Sequence, residues 1–166
     1  MFRKIAIIGV VLAVAATAFG ALAPAASAQE TEEERRGRVL LHGRGVLDAQ
    51  GDGVAAVKGR MDYDVSADAG ALLVQDHNGN ADIEVTGYEG TVEWRGFTIY
   101  YGFEGEAHII GGDVSVVVVG RNIDLHVAGK GWAFLKGQGT FEVNGRGPFR
   151  WTEAGAFAWF EETADE

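Results

Sequence analysis

Glycine, alanine and an aliphatic residue recur at a fixed spacing along this chain. Three sets of four positions, each separated by 26 residues, keep the same residue type. They are Gly53, Gly79, Gly105 and Gly131; Ala55, Ala81, Ala107 and Ala133; and Val57, Ile83, Ile109 and Leu135. No insertion interrupts the pattern Gly-x-Ala-x-aliphatic, which therefore predicts a repeated structural unit. Units this short bury their apolar side chains only by packing on neighbouring units.

Apolar and polar residues alternate inside each unit. From Leu47 to Val65, the odd positions carry apolar residues or glycine, whereas most even positions carry polar residues. A period of two indicates β-strands, because successive side chains of a strand point to opposite faces. No stretch after Ala28 shows helical spacing over three turns, so the sequence predicts an all-β domain.

The constant spacing favours a single-domain parallel β-solenoid with coils of 26 residues. About four to five coils would stack about 4.8 Å apart, with equivalent residues in ladders. The alternative is an antiparallel β-meander or a barrel of repeated hairpins, since Asp-Gly and Asn-Gly are strong hairpin signals. A two-residue turn at Asn78-Gly79 would pair odd with even positions, and this disagrees with the odd apolar residues on both sides. The solenoid is therefore the primary prediction.

The chain divides into four predicted segments. Residues 1–28 have a basic start, an apolar run from Ile5 to Leu22 and small residues up to Ala28, which is typical of a secretory signal peptide. Retention of that run as an uncleaved membrane anchor is the alternative. Residues 29–38 are predicted to be a charged flexible arm, 39–153 the β-repeat domain, and 154–166 an aromatic cap with an acidic tail. The predicted location is secreted, periplasmic or on the cell surface.

The charge balance narrows the classes of partner. The chain has 24 Asp and Glu against 14 Lys and Arg, a net charge of −10, which opposes binding to nucleic acid and to anionic membranes. It has no Cys, so the exported domain must be stable without disulfides. We expect no cofactor and, after signal cleavage, no membrane association.

The segments AQGDGVAAV and VAGKGWAFL carry the fuller motif Gly-x-Gly-x-Ala-x-aliphatic. Their recurrence resembles the head domains of bacterial secreted adhesin-like β-solenoids. The resemblance covers most of the chain after Ala28. It implies an envelope or surface role without catalysis.

Coil stacking would bring residues 26 apart side by side. It predicts ion pairs between Lys58 and Glu84 and between Asp124 and Arg150. It also predicts a surface pair of Asp82 with His108, which has too few ligands for zinc. Calcium at the acidic corners Asp52, Asn78 and Glu104 is disfavoured because Lys130 continues that column. The sequence therefore predicts no catalytic, cofactor-binding or metal-binding residues.

Apolar residues at even positions form one candidate interaction patch. Its members are Tyr88, Val92, Trp94, Val114, Val116 and Val118. The patch either docks an unidentified protein or glycan partner, with a sugar stacking on Trp94 or Tyr100, or is covered. Cover would come from the arm, from the tail, or from burial of both faces of the strand Val114–Val119.

These patterns favour an exported, non-catalytic structural or adhesive envelope protein. The alternative is a carbohydrate- or small-ligand-binding module that uses exposed aromatic residues. An enzyme of the pectin-lyase type would need clustered charges on one outward face, which the predicted columns do not supply. The oligomeric state is left open.

Overall fold

The computed structural model describes the backbone of residues 38–42 and 45–161, and the side chains of residues 45–160. Every regular element in these ranges is a β-strand. The ten strands are β1 (Arg38–His42), β2 (Val46–Ala67), β3 (Ala69–Asp76), β4 (Asp82–Val85), β5 (Gly90–Trp94), β6 (Phe97–Tyr101), β7 (Gly105–Ile110), β8 (Asp113–Val143), β9 (Arg146–Trp151) and β10 (Ala156–Glu161). Within the described ranges, no helix has the length and apolar character to cross a bilayer.

The strands form one antiparallel sheet that curls into a half-barrel. The sheet order is β4-β7-β2-β8-β3-β6-β5, with β9 and β10 paired to β8 and with β1 paired to β10 as the parallel exception. The parallel solenoid was therefore wrong, and the antiparallel alternative matches the structure. Ile83 and Ile109 do lie side by side, but on the oppositely directed strands β4 and β7.

The long strands β2 and β8 bend sharply, so that the sheet folds into two halves. Half-sheet I contains β5, β6, β3, residues 114–120 of β8, 53–60 of β2, 130–137 of β8, β10 and β1. Half-sheet II contains β4, β7, residues 61–67 of β2, 123–128 of β8, 46–51 of β2, 139–143 of β8, and β9. Their concave sides face each other and enclose the main core, and their convex sides face outward.

Opposed glycines occupy the bends. Gly53 lies opposite both Gly120 and Gly137. A Cβ atom on Gly137, whose φ is +140°, would lie 2.1 Å from the carbonyl oxygen of Asp52, so only glycine fits this crossing. The glycines of the 26-residue pattern are not equivalent, because Gly79 instead lies in an exposed turn, outside any strand. The sequence pattern therefore does not correspond to a repeated structural unit.

A bulge in β8 reverses which side chains point inward. Gly51 lies opposite Ile123 and Gly53 lies opposite Gly120, so β8 has one extra residue here, and Asn122 has a φ of 47°. Odd residues of β8 therefore point inward after the bulge, whereas even residues point inward before it. Val114, Val116 and Val118 lie in the main core with at most 1% exposure, and the prediction that they face outward was wrong.

A second apolar cluster lies on the convex side of half-sheet I. Its buried members are Val54, Ala56, Ala71, Leu73, Ile99 and Val117. Trp94, Phe97, Val119 and Phe134 pack against them and are partly buried. The strand segment Val114–Val119 is consequently buried on both faces.

The predicted aromatic cap is a strand of the sheet. Residues 156–161 form β10, which pairs with β8 on one side and with β1 on the other. Phe160 and Trp151 point into the main core, with exposures of 0% and 1%. The predicted signal peptide lies outside the described residues, as does the predicted arm except for Arg38, which begins β1.

Candidate functional site

Six acidic and imidazole side chains form a continuous row across the convex side of half-sheet II. Adjacent members are directly opposed on neighbouring strand segments, in the order Glu84, His108, Asp64, His126, Asp48 and Glu142. Directly opposed side chains of a sheet lie close enough to interact. We call this set the acid–imidazole row.

Each imidazole of the row pairs with one carboxylate. The Nδ1 atom of His108 contacts Oδ1 of Asp64, and the Nδ1 atom of His126 lies 2.6 Å from Oδ1 of Asp48. Both histidine side chains are 48% exposed, so water reaches the pairs. The hydrogen bond to Asp64 raises the pKa of His108. Burial opposes this rise, and the negative charges of Asp64, Glu84 and Asp62 add to it.

A cleft of about 320 Å³ lies beside the row. Its wall includes Ser66, Glu106 and Asp124. Each of these residues lies two positions along its strand from a member of the row. The amide of Gln50 donates a hydrogen bond of 2.9 Å to Asp124. In the part of the chain that the structure describes, no three carboxylate, imidazole or thiol groups are arranged to hold a metal ion.

A serine–histidine contact occurs on the other half of the molecule. The Nε2 atom of His77 lies 2.8 Å from Oγ of Ser115. A nucleophilic serine needs such a contact and also access to substrate. Ser115 is only 1% exposed, so the contact serves to satisfy a buried hydroxyl.

The ladder pairs predicted from the 26-residue spacing do not form. His108 lies opposite Asp64 and Glu84, whereas Asp82 lies opposite Ile110. The neighbours of Lys58 are Ser115 and Trp132, and those of Asp124 are Ser66 and Gln50. All these predictions were wrong because they assumed parallel stacking.

The proposed calcium corners belong to separate segments of the fold. Asp52 lies at a bend of β2, where its carboxylate accepts a hydrogen bond of 2.7 Å from the backbone N–H of Asn122. Asn78 and Glu104 lie in two different connections between strands, and Lys130 lies within β8.

Four aromatic side chains, which we call the aromatic strip, line the convex side of half-sheet I where β8 meets β10. Trp132 lies opposite Trp159, and Phe134 lies opposite Phe157. The ring centroids are 6.4 Å apart in the tryptophan pair and 4.7 Å apart in the phenylalanine pair. Trp159 is 37% exposed. Phe157 and Trp159 fall in the predicted aromatic cap, but their pairing with Phe134 and Trp132 was not predicted. The spacing Trp-x-Phe and Phe-x-Trp on two strands nevertheless indicates a shared face.

The predicted interaction patch is divided between surface and core. Tyr88 and Val92 are exposed, at 43% and 38%, and Tyr88 packs edge-on against Tyr100 with 5.0 Å between ring centroids. Trp94 is partly buried, and the guanidinium of Arg95 lies 4.8 Å from its ring centroid. The three valines of the patch belong to the main core.

No family model, curated protein or solved structure matches this chain.

Proposed function

We propose that this chain is an exported, non-catalytic structural or adhesive protein of the cell envelope that attaches to its partner through the aromatic strip. The observation that carries the proposal is the directly opposed pair Trp132 and Trp159, with Trp159 37% exposed on the outer side of the sheet. Tryptophan is enriched at the centres of protein interfaces because its large side chain loses little conformational entropy on binding.

The backbone around the strip supports a fixed binding surface. Residues 131–135 of β8 are hydrogen-bonded to β10 on one side and to β2 on the other. The second apolar cluster continues from Phe134 across the same convex side. A partner would therefore meet rings whose positions are set before binding, which reduces the entropic cost of association.

A carbohydrate ligand is the second candidate, and the strip geometry favours it for one reason. Trp132 and Phe134 lie two positions apart on one strand, a separation of about 7 Å, and their partners repeat this spacing on β10. Rings in a row on one face of a strand pair suit stacking against successive apolar faces of sugar units.

The test is sedimentation of the purified chain, without residues 1–28, with envelope fragments of the producing cell. We expect Trp159→Ala to weaken retention about tenfold or more. Ile110→Ala is the control, because Ile110 is an exposed apolar residue on β7 of half-sheet II, away from the strip. Equal retention of the wild type and Trp159→Ala would overturn the proposal.

Chemical treatment of the fragments then separates the two candidates. Periodate oxidation destroys sugar diols, whereas protease digestion removes envelope proteins. Loss of retention after periodate alone assigns a glycan ligand. Loss after protease alone assigns a protein partner and excludes the carbohydrate-binding module.

A further inference from the structure

We propose that the acid–imidazole row is a pH-sensitive clasp that holds the edge strand β4 and its neighbour β7 to the long strands of half-sheet II. His108 of β7 sits between Glu84 of β4 and Asp64 of β2. His126 of β8 sits between Asp64 and Asp48, on two separate passes of β2. Each imidazole therefore lies between two carboxylates of the flanking strand segments.

Strands β7 and β4 are joined to the rest of half-sheet II through few paired positions. β7 pairs with β2 over five positions, from Tyr63 opposite Ile109 to Ala67 opposite Gly105. β4 pairs only with β7, over four positions. Short edge strands open locally at low free-energy cost, so side-chain charge has a measurable effect on their opening.

The charges around His108 are mostly negative. Its own strand supplies Glu106, β4 supplies Asp82 and Glu84, and β2 supplies Asp62 and Asp64. The row as a whole carries four carboxylates and two imidazoles. Protonation of His108 therefore adds a positive charge between two of these carboxylates.

The surroundings of His126 are similar. Asp124 lies on its own strand, and Asp48 and Asp64 lie on the flanking passes of β2. The arginines of this half, Arg146 and Arg150, lie on β9 at the edge opposite β4. Both imidazoles, and neither arginine, therefore lie between carboxylates of the row.

Protonation changes charge without removing the hydrogen bonds. A neutral imidazole that keeps its proton on Nδ1 still donates to the carboxylate, and protonation adds a proton on Nε2. Because the fold raises the pKa of His108, the stabilisation is full below the pKa of the unfolded chain and is lost as pH rises through the folded value. The clasp therefore stabilises β7 and β4 more at acidic pH than at alkaline pH.

The experiment is amide hydrogen exchange of the purified chain, corrected for intrinsic exchange rates, at pH about 5.5 and about 8.5. We expect protection of Gly105–Ile110 and Asp82–Val85 to fall roughly twofold to fivefold at the higher pH, the range of exposed cross-strand pairs. The double variant His108→Gln, His126→Gln should lose this difference. His77→Gln is the matched control and should retain it, because His77 contacts Ser115 on half-sheet I. The same pH difference in the double variant would overturn the proposal.

A second measurement tests the clasp without measuring the local stability of the strands. The titration midpoint of His108, followed by NMR of its ring protons, should lie above 6.5 in the wild type and move toward 6.5 in Asp64→Asn. A midpoint that does not respond to Asp64→Asn would also overturn the clasp. Neither measurement needs a ligand, so their outcome is independent of the proposed adhesive role.

Discussion

The phenolic oxygen of Tyr63 donates a hydrogen bond of 3.2 Å to the backbone carbonyl oxygen of Val114. Tyr63 belongs to half-sheet II and Val114 to half-sheet I, so this bond crosses the main core. Both residues are fully buried. The bond provides a polar connection between two halves that otherwise meet through apolar side chains.

Tyr63→Phe is expected to destabilise the protein by about 1 kcal/mol, because it removes a buried hydrogen bond and leaves the ring in place. Burial, together with the charge of Asp113, raises the pKa of Tyr63 far above its ordinary value. Unfolding above pH of about 10 therefore releases a proton, and wild-type stability should fall more steeply there than that of the variant. Urea unfolding at neutral and alkaline pH measures both effects. Tyr88→Phe, at an exposed site, should change neither, and an equal loss in both variants would contradict the assignment.

Gly137→Ala is expected to cost roughly 3 kcal/mol, because it combines a strained positive φ with overpacking at the bend. The added Cβ would lie 2.1 Å from the oxygen of Asp52 and 2.9 Å from Cα of Gly53. Gly79→Ala is the control, since Gly79 also has a positive φ but no atom within 4 Å of the added Cβ. Thermal unfolding should separate the two variants. Similar losses would show that steric contact at the bend is unimportant.

The all-β character of the chain followed from local information, but the parallel solenoid predicted for it was wrong and the strand pairing could not be derived. Alternation from Leu47 to Val65 correctly indicated strand structure, and its odd apolar residues mostly lie in the main core. A fixed spacing of glycines fits both stacked coils and long strands that bend at regular places. The structure places Gly53 opposite Gly137, 84 positions apart, and no local pattern specifies that contact.

The residues of the candidate site likewise depend on long-range strand pairing that the sequence does not reveal. His126 was not grouped with His108 because the row exists only after β7, β2 and β8 pair in their actual register. Val116 was placed on the outer face because a one-residue bulge at Asn122 is hard to recognise in sequence. Trp132 and Trp159 were accessible to sequence reasoning through their alternation with phenylalanine, a signal that needs no long-range register.

Val116→Ala tests the reversed facing of β8 before the bulge. We expect a loss of about 2 kcal/mol in the free energy of unfolding, because two buried methyl groups are removed from the core. Val92→Ala is the matched control at a site that is 38% exposed, and it should change stability by less than about 0.5 kcal/mol. Urea denaturation measures the free energy of unfolding of both variants, and both should keep the m-value of the wild type. A loss at Val116 no larger than the loss at Val92 would contradict the burial of Val116 in the main core.

Asp76 fixes the turn that carries the chain from half-sheet I to half-sheet II. Its carboxylate accepts hydrogen bonds from the backbone N–H groups of Ala81, at 2.8 Å, and Asn78, at 3.0 Å. The bond from Ala81 contributes most to lowering the pKa of Asp76 below its ordinary 3.8, against a smaller opposing effect of burial. A lowered carboxyl pKa stabilises the fold above 3.8 and loses that effect as pH falls through the folded value. Asp76→Asn should therefore melt below the wild type at neutral pH, and the gap in melting temperature should close in acid. Glu153→Gln, at an exposed turn position, is the control, and its difference in melting temperature from the wild type should not shrink in acid. If the difference for Asp76→Asn is independent of pH, the turn does not require the charge of Asp76.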